Sequence, residues 1–289
     1  MDNRNAVLVV GADGHVGSAL AASLKQRGVR LLGTTRRRGT DGPDRVFLDL
    51  ASLTESWTPP ERVETTFLCA GISGLKPCER DPIETSRVNV RGTVAVARGL
   101  VAQGCHVVFL SSNQVFDGDT PNRRADEPVQ PRSAYGRTKA EAEALLLALP
   151  GDVCVVRFGK ILEPAPSLLA GWVADLRAGR PVHPLSDLVI APVSLGFAVS
   201  VLLRVADRRA CGVVQVSAEH DISYEAIARH IASKVGADDS LVVPGHSRDA
   251  RFPQALVPRH TTFDTSRLRG ELGLTPPDVW ATIDEVVGL

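Results

Sequence analysis

Seven residues, Gly11-Ala12-Asp13-Gly14-His15-Val16-Gly17, constrain this chain more than any others. They follow the apolar run Ala6–Val10 and open an amphipathic segment, 15–27, in which Val16, Leu20 and Leu24 recur at four-residue steps. A buried strand that turns on glycine straight into a helix is the start of a βαβ unit, and each glycine has its own task. Gly11 permits the tight turn, Gly14 lets backbone approach a pyrophosphate, and Gly17 lets helix pack on sheet. The N–H groups around Asp13, Gly14, His15 and Val16 then face the phosphates from a helix N-terminus. Glycine used only for turning would not be needed three times at three-residue intervals.

The pattern continues. Residues 30–34, 46–48, 65–70, 106–111 and Val153–Phe158 are short apolar runs that predict strands, while 81–103 and 133–149 predict long helices. Val-rich strands alternating with helices indicate a parallel sheet covered on both faces. Right-handed crossovers make it a doubly wound, Rossmann-like α/β fold. After Gly159, prolines at 164, 166, 181, 184 and 192 break the rhythm. Helices are expected near 168–178, 195–205 and Tyr224–Val235, with a strand near 213–216. This reading divides the chain into a dinucleotide-binding domain, 1–160 plus about 190–217, and a smaller irregular α/β substrate lobe, about 161–189 plus 218–289. The polar stretch 117–132, with three prolines, reads as a surface loop.

Charge and cysteine content narrow the partners. With 33 basic and 33 acidic side chains the net charge is zero, which argues against a nucleic acid or an anionic membrane surface as partner. No apolar run approaches the ~20 residues a membrane helix needs, and the first apolar run is too short for a signal-peptide core. Five cysteines, Cys69, Cys78, Cys105, Cys154 and Cys211, are dispersed without a CxxC. They read as free thiols in a reducing, cytoplasmic compartment. Seven histidines show no HxxxH or HExxH spacing, so no metal site is expected.

Two further clusters carry chemistry. An acid at the end of the second strand would hydrogen-bond the ribose 2′-hydroxyl of NAD. Here the segment is Thr34-Thr35-Arg36-Arg37-Arg38, and Arg36 and Arg37 can clamp a 2′-phosphate instead. The cofactor expected is therefore NADP(H), with NAD(H) second. In Tyr135-Gly136-Arg137-Thr138-Lys139, a phenol and an ammonium lie four residues apart on one helical face. A neighbouring cation makes the phenol easier to ionise, which suits proton exchange with a carbonyl/alcohol couple. Upstream stand Ser111-Ser112-Asn113-Gln114-Val115-Phe116 and Asn89-Val90-Arg91-Gly92-Thr93.

In this order and spacing, the GxxGxxG turn, Asn89, Ser112 and the YxxxK motif resemble the extended short-chain dehydrogenase/reductases over nearly the whole chain. The resemblance implies Tyr135 as general acid/base and Lys139 as ligand of the nicotinamide ribose that also lowers the phenol's pKa. It implies Ser112 as the hydroxyl that polarises the carbonyl, and Asn89 as the helix asparagine that organises a kink or water. Asp49-Leu50 resembles the family's adenine-contacting pair, and Ala70-Gly71 falls where the family lines the nicotinamide side.

Cys78-Glu79-Arg80-Asp81-Pro82, Val115-Phe116-Asp117-Gly118, Glu127-Pro128 and the tail Phe263-Asp264-Thr265-Ser266-Arg267-Leu268 with Leu272-Gly273-Leu274 and Trp280 resemble the dTDP-4-dehydrorhamnose reductase branch. Two segments depart from it. Asn113-Gln114 replaces the branch's Asp-Tyr, and 186–193 replaces its DQxGxPT, both where the family faces substrate. The resemblance implies an NADPH-dependent reductase of a nucleotide-linked 4-keto(-6-deoxy) sugar. A diphosphate needs cations, and Arg157, Arg251 and Arg259 are the candidates. Two other activities stay open. One is a sugar-nucleotide epimerase or dehydratase that retains its cofactor, against which the missing acids weigh. The other is a regulatory subunit that binds NADP and a partner enzyme, as in methionine adenosyltransferase of the same branch. The alanines Ala140, Ala142 and Ala144 fit either a second copy of the chain, as in relatives, or the monomer's own interior.

Overall fold

The computed structural model describes residues 6–40, 42–53, 57–164, 167–250 and 253–289. In chain order its strands and helices are β1 (Ala6–Val10), α1 (His15–Gln26), β2 (Leu31–Thr35), β3 (Arg45–Phe47), β4 (Val63–Leu68), α2 (Leu75–Arg80), α3 (Pro82–Ser86), α4 (Thr93–Val101), β5 (His106–Ser112), α5 (Ala134–Leu147), β6 (Val153–Phe158), β7 (Ile161–Leu162), α6 (Leu168–Arg177), β8 (Val189–Ile190), β9 (Val193–Ser194), α7 (Leu195–Arg208), β10 (Gly212–Val216), β11 (Ile222–Ser223), α8 (Tyr224–Val235), α9 (Ser266–Gly270) and α10 (Val279–Val287). Seven strands form one sheet in the order β10-β6-β5-β4-β1-β2-β3. The ladders β3–β2, β2–β1, β1–β4 and β4–β5 are parallel. This is the doubly wound α/β fold expected from the alternation of Val-rich strands with helices. The strand order reverses direction between β1 and β4, and such a switch point opens a ligand crevice at the strands' carboxyl ends.

The chain divides into two units, each built from three stretches. The first comprises Met1–Phe116, Val129–Arg157 and Val199–Val214, and the second Asp117–Pro128, Phe158–Ala198 and Gln215–Leu289. Each has its own apolar core. Leu8, Val10, Leu32, Leu68, Leu100, Phe109, Leu146 and Val155 anchor the first. Leu169, Trp172, Ile227, Ile231 and Ile283 anchor the second. The sequence reading put 117–128 and 190–198 with the dinucleotide-binding domain. Both fall in the second unit. Segment 117–128 is held there by Asn122, whose N–H donates to Thr262 Oγ1, and by a bridge between Arg123 and Phe263.

The long helix expected over 81–103 is interrupted. Asp81 caps α3 by accepting the N–H of Glu84 at 3.0 Å, with Pro82 in the first turn. Residues Arg87–Gly92 then form a π turn before α4 begins. Its cause is local packing. A Cβ at Gly92 would lie 2.2 Å from the Leu50 carbonyl oxygen, and the wider turn presents glycine there. Thr93 Oγ1 follows the wider period by donating to the Val88 carbonyl five residues back. Single π turns of this kind concentrate at functional sites. No helix of the described residues is long and apolar enough to cross a membrane.

Candidate active site

The glycine turn sits at the switch point. Gly11 has φ +87°, and a Cβ there would meet the Ala70 backbone at 2.7 Å. A Cβ at Gly17 would lie 2.1 Å from the Gly11 carbonyl oxygen, so α1 reaches the sheet only because that side chain is missing. Gly14 is the N-cap of α1 and offers no side-chain acceptor. A helix start without a side-chain cap, at the positive end of the helix dipole, suits a phosphate. Ala70 is half-buried and Gly71 exposed just past β4, beside this turn. A cradle that side chains would fill, at an uncapped helix start, fits a dinucleotide pyrophosphate.

The far end of the cradle is basic. Arg36 and Arg37 are exposed directly after β2. Arg38 lies over the Phe47 ring at 5.0 Å. Asp13 is the nearby acid, and it is occupied. Thr35 Oγ1 donates to it at 2.7 Å, and Arg45 pairs with it at 3.2 Å. Sequence reading included Asp13 among the phosphate-facing residues and overlooked Arg45, whose position on β3 carried no signal of its own. Of the expected adenine pair, Leu50 is buried in the core and Asp49 caps the short 3₁₀ turn Leu50–Ser52 by accepting the Ala51 N–H. Only Asp49 keeps an accessible side.

The second cluster lies on β5 and α5. Ser133 caps α5 by accepting the Gly136 N–H at 2.9 Å, and Glu79 of α2 accepts the N–H of Ala134 at 2.6 Å. Helix α2, absent from the sequence reading, carries Pro77 in its first turn, where proline is tolerated. So fixed, α5 brings the Tyr135 phenol beside Ser112, close enough for that hydroxyl to favour the phenolate. Ser111, its neighbour, turns the other way and donates to the buried carboxylate of Glu143. Ser112, not Ser111, is the serine beside the phenol. Burial pushes the Tyr135 phenol up to about 12, against the Ser112 hydroxyl, which lowers it. Lys139 is expected to depress that phenol, yet burial outweighs any such effect. At neutral pH Tyr135 therefore holds its proton.

Lys139 is buried, and its Nζ donates to the Leu110 carbonyl at 2.7 Å over the Phe109 ring. Burial brings this ammonium down to about 8, with the Glu143 charge opposing the shift. An ammonium has three donors, so two stay available beside the Leu110 bond.

Asn89, expected to organise a kink or water in the long helix, does its work on the backbone. It stands in the π turn, 1% exposed, and grips one backbone unit from both sides. Its Oδ1 accepts the Ile72 N–H at 2.8 Å, and its Nδ2 donates to the Ile72 carbonyl at 2.9 Å. Asn89 is thus a positioning residue that fixes the loop after Gly71. Asn89→Ala orphans the Ile72 N–H and leaves its carbonyl only the weak Cys78 thiol donor, which is expected to cost about 1–3 kcal/mol, read as a lowered midpoint in urea unfolding. An unchanged midpoint would show that the loop is held by other means.

The substrate candidates separate. Gln114 Oε1 accepts from the capping Ser133 at 3.2 Å, and Asn113 Oδ1 accepts from Ser112 at 3.3 Å, both half-buried. Arg157 is not an available cation. It is 4% exposed, forks onto both oxygens of Glu143 and stacks on Phe116. The buried carboxylate that claims it, Glu143, was missed in the sequence, hidden among the alanines of α5. Arg259 is exposed in the second unit, and Arg251 lies outside the described residues. Of the three alanines, Ala142 is buried in the core, Ala140 half-buried and Ala144 exposed, so they do not form one docking face.

Residues 5–288 match the family described as RmlD substrate binding domain. The chain belongs to this family. Among curated relatives it is 28% identical to a dTDP-4-dehydrorhamnose reductase of Streptomyces griseus, over 94% of this chain and 90% of that one. It is 27% identical to a probable low-salt glycan biosynthesis reductase of Haloferax volcanii, over 93% of each. The fold matches a dTDP-4-dehydrorhamnose reductase from Bacillus anthracis solved in complex with NADP, with a TM-score of 0.81, 17% identity and 98% of both chains covered. The branch read from the tail and from Val115-Phe116-Asp117-Gly118 agrees with this membership.

Proposed function

We propose that the chain is an NADPH-dependent reductase of a nucleotide-linked 4-keto-6-deoxy sugar, acting as its dTDP-4-dehydrorhamnose reductase relatives are named for. The observation that carries this reading is the Tyr135 phenol, protonated at neutral pH, set between the Ser112 hydroxyl and the buried Lys139. A reduction consumes a proton at the carbonyl oxygen, and Tyr135 holds one. When bound, NADPH supplies the hydride that goes to the carbonyl carbon. Ser112 orients the carbonyl oxygen by a hydrogen bond, and Tyr135 gives that oxygen its proton. Lys139 binds the nicotinamide ribose with the donors not used by Leu110. The turn Gly11–Gly17 holds the pyrophosphate, Arg36 and Arg37 the 2′-phosphate, and Asp49 the adenine. Asn113 and Gln114 add no acid, which supports reduction over dehydration.

Arg259 is proposed to meet the diphosphate. Free cysteines throughout support a reducing, cytoplasmic setting. Leu145 and Leu147, 39% and 40% exposed on α5, support a homodimer, which gel filtration with light scattering would test. The activity test is a panel of nucleoside-diphospho-4-keto-6-deoxy sugars, followed by loss of NADPH absorbance. Turnover with at least one is expected. NADPH binding without any turnover would overturn the reading in favour of a regulatory role.

A further inference from the structure

The carboxylate on the helix face of Lys139 is engaged by residues other than the lysine. Glu143 lies one turn beyond Lys139 on α5 and is 2% exposed. Arg157 Nε reaches both its oxygens at 3.1 Å, and Arg157 Nη2 bonds Oε2 at 2.7 Å. Ser111 Oγ donates to Oε1. Both carboxylate oxygens are thus engaged from β5 and β6. The Lys139 ammonium meanwhile bonds a neutral carbonyl, that of Leu110. The field of Glu143 still acts on the ammonium at this range in a buried setting.

We propose that Glu143 is the fixed counter-charge of Lys139, and that Arg157 and Ser111 hold it out of the ammonium's reach. Lys139 is thereby kept charged without being captured, and its remaining donors stay free for a ribose. Glu143 and Arg157 are positioning residues: they act through Lys139 and touch neither substrate nor cofactor.

The other groups facing Lys139 do not replace Glu143. On α5 itself stands Tyr135, protonated at neutral pH. From the end of β4 comes Cys69, whose thiol burial pushes up to about 12, and from α2 comes Cys78, also raised by burial. Both thiols are neutral in the working range. Among the described residues, Glu143 is the carboxylate that acts on Lys139. The pair's near-neutral sum matters less than its geometry, because Glu143 is on the lysine's own helix face and Arg157 reaches it from beyond.

This inference rests on the assignment of Lys139 to the cofactor's ribose, but its test does not need a substrate. The chain has five lysines, Lys25, Lys76, Lys139, Lys160 and Lys234, so lysine labelled at the ε-carbon gives few NMR signals. The Lys139 signal is the one lost in Lys139→Met. In the cofactor-free protein it should titrate near 8. Glu143→Gln should lower that midpoint by at least about half a unit, because the stabilising anion is gone. Arg157→Met should raise it by a similar amount, because the released carboxylate can bond the ammonium directly. In that variant NADPH should also bind more weakly, since the captured ammonium no longer meets the ribose. Should either single variant fail to fold, the paired Glu143→Gln/Arg157→Gln variant leaves no orphaned charge and should still lower the midpoint. A purely structural cluster would reduce stability in both single variants and leave the Lys139 midpoint in place. That result, or shifts of the same sign in both, overturns the proposal. A shifted midpoint in a protein that reduces no keto sugar would uphold the electrostatics and overturn the substrate reading alone.

Discussion

Tyr135→Phe is expected to cut turnover at least about 100-fold while leaving the unfolding midpoint nearly unchanged. The substitution removes one oxygen, and its neighbour Ser112, a half-buried hydroxyl, keeps its bond to Asn113 Oδ1. The aromatic ring stays in place beside Lys139. The loss should therefore fall on the chemical step, in kcat, with the Kd for NADPH hardly moved. Steady-state NADPH oxidation with a keto-sugar nucleotide reads the first and calorimetry the second. Turnover within a factor of about three of the parent protein would remove Tyr135 from the reaction, since a general acid contributes about 100-fold or more.

The second large effect concerns cofactor choice. NADPH is expected to bind at least about tenfold more tightly than NADH, equivalent to about 1.4 kcal/mol. Replacing Arg36 and Arg37 together by alanine should erase the gap, leaving NADH affinity nearly as it was. Each charge-assisted contact to the 2′-phosphate is worth about 1.5–3 kcal/mol. The structure sharpens the reason. The acid nearest the ribose end, Asp13, is spent on Thr35 and Arg45, so it is poorly placed to select NAD. Arg38 is spent on Phe47. That leaves the exposed pair Arg36 and Arg37. Equal affinities for the two dinucleotides in the parent protein, by titration calorimetry, would reject this account.

What could be seen in the sequence was what rests on local rules. A parallel strand buried on both faces is a short Val-rich run, so β6 and the strand before the glycine turn were found at their observed ends. The helical run over 133–149 located α5 to within a residue or two. Less visible was whatever depended on a contact made across the fold. The π turn answers a carbonyl at Leu50, and nothing in Asn89-Val90-Arg91-Gly92 announces it. Asn89 carries the motif's asparagine, but its task is set by the backbone of Ile72. Arg157 looked like a cation waiting for a diphosphate because its partner, Glu143, sits fourteen residues earlier on another element, in a stretch that reads as a solvated helix. A charged residue ending a buried strand is better read with the question of which carboxylate shares its burial.

The interleaving of the two units has a consequence for how the chain is made. Residues 117–128 emerge early from the ribosome, yet the groups that hold them, Thr262, Phe263 and the N–H of Asp264 bonded to the Arg123 carbonyl, are synthesised some 140 residues later. Until then that segment has its internal bonds, such as the Glu127 N–H to the Arg124 carbonyl, and lacks the tail residues that anchor it. Folding of the second unit must therefore wait for the tail, and contacts this distant in sequence form slowly. A nascent chain stalled before Thr262 would hold a finished glycine cradle and catalytic helix next to an unanchored 117–128 segment, the place where a protease would first cut.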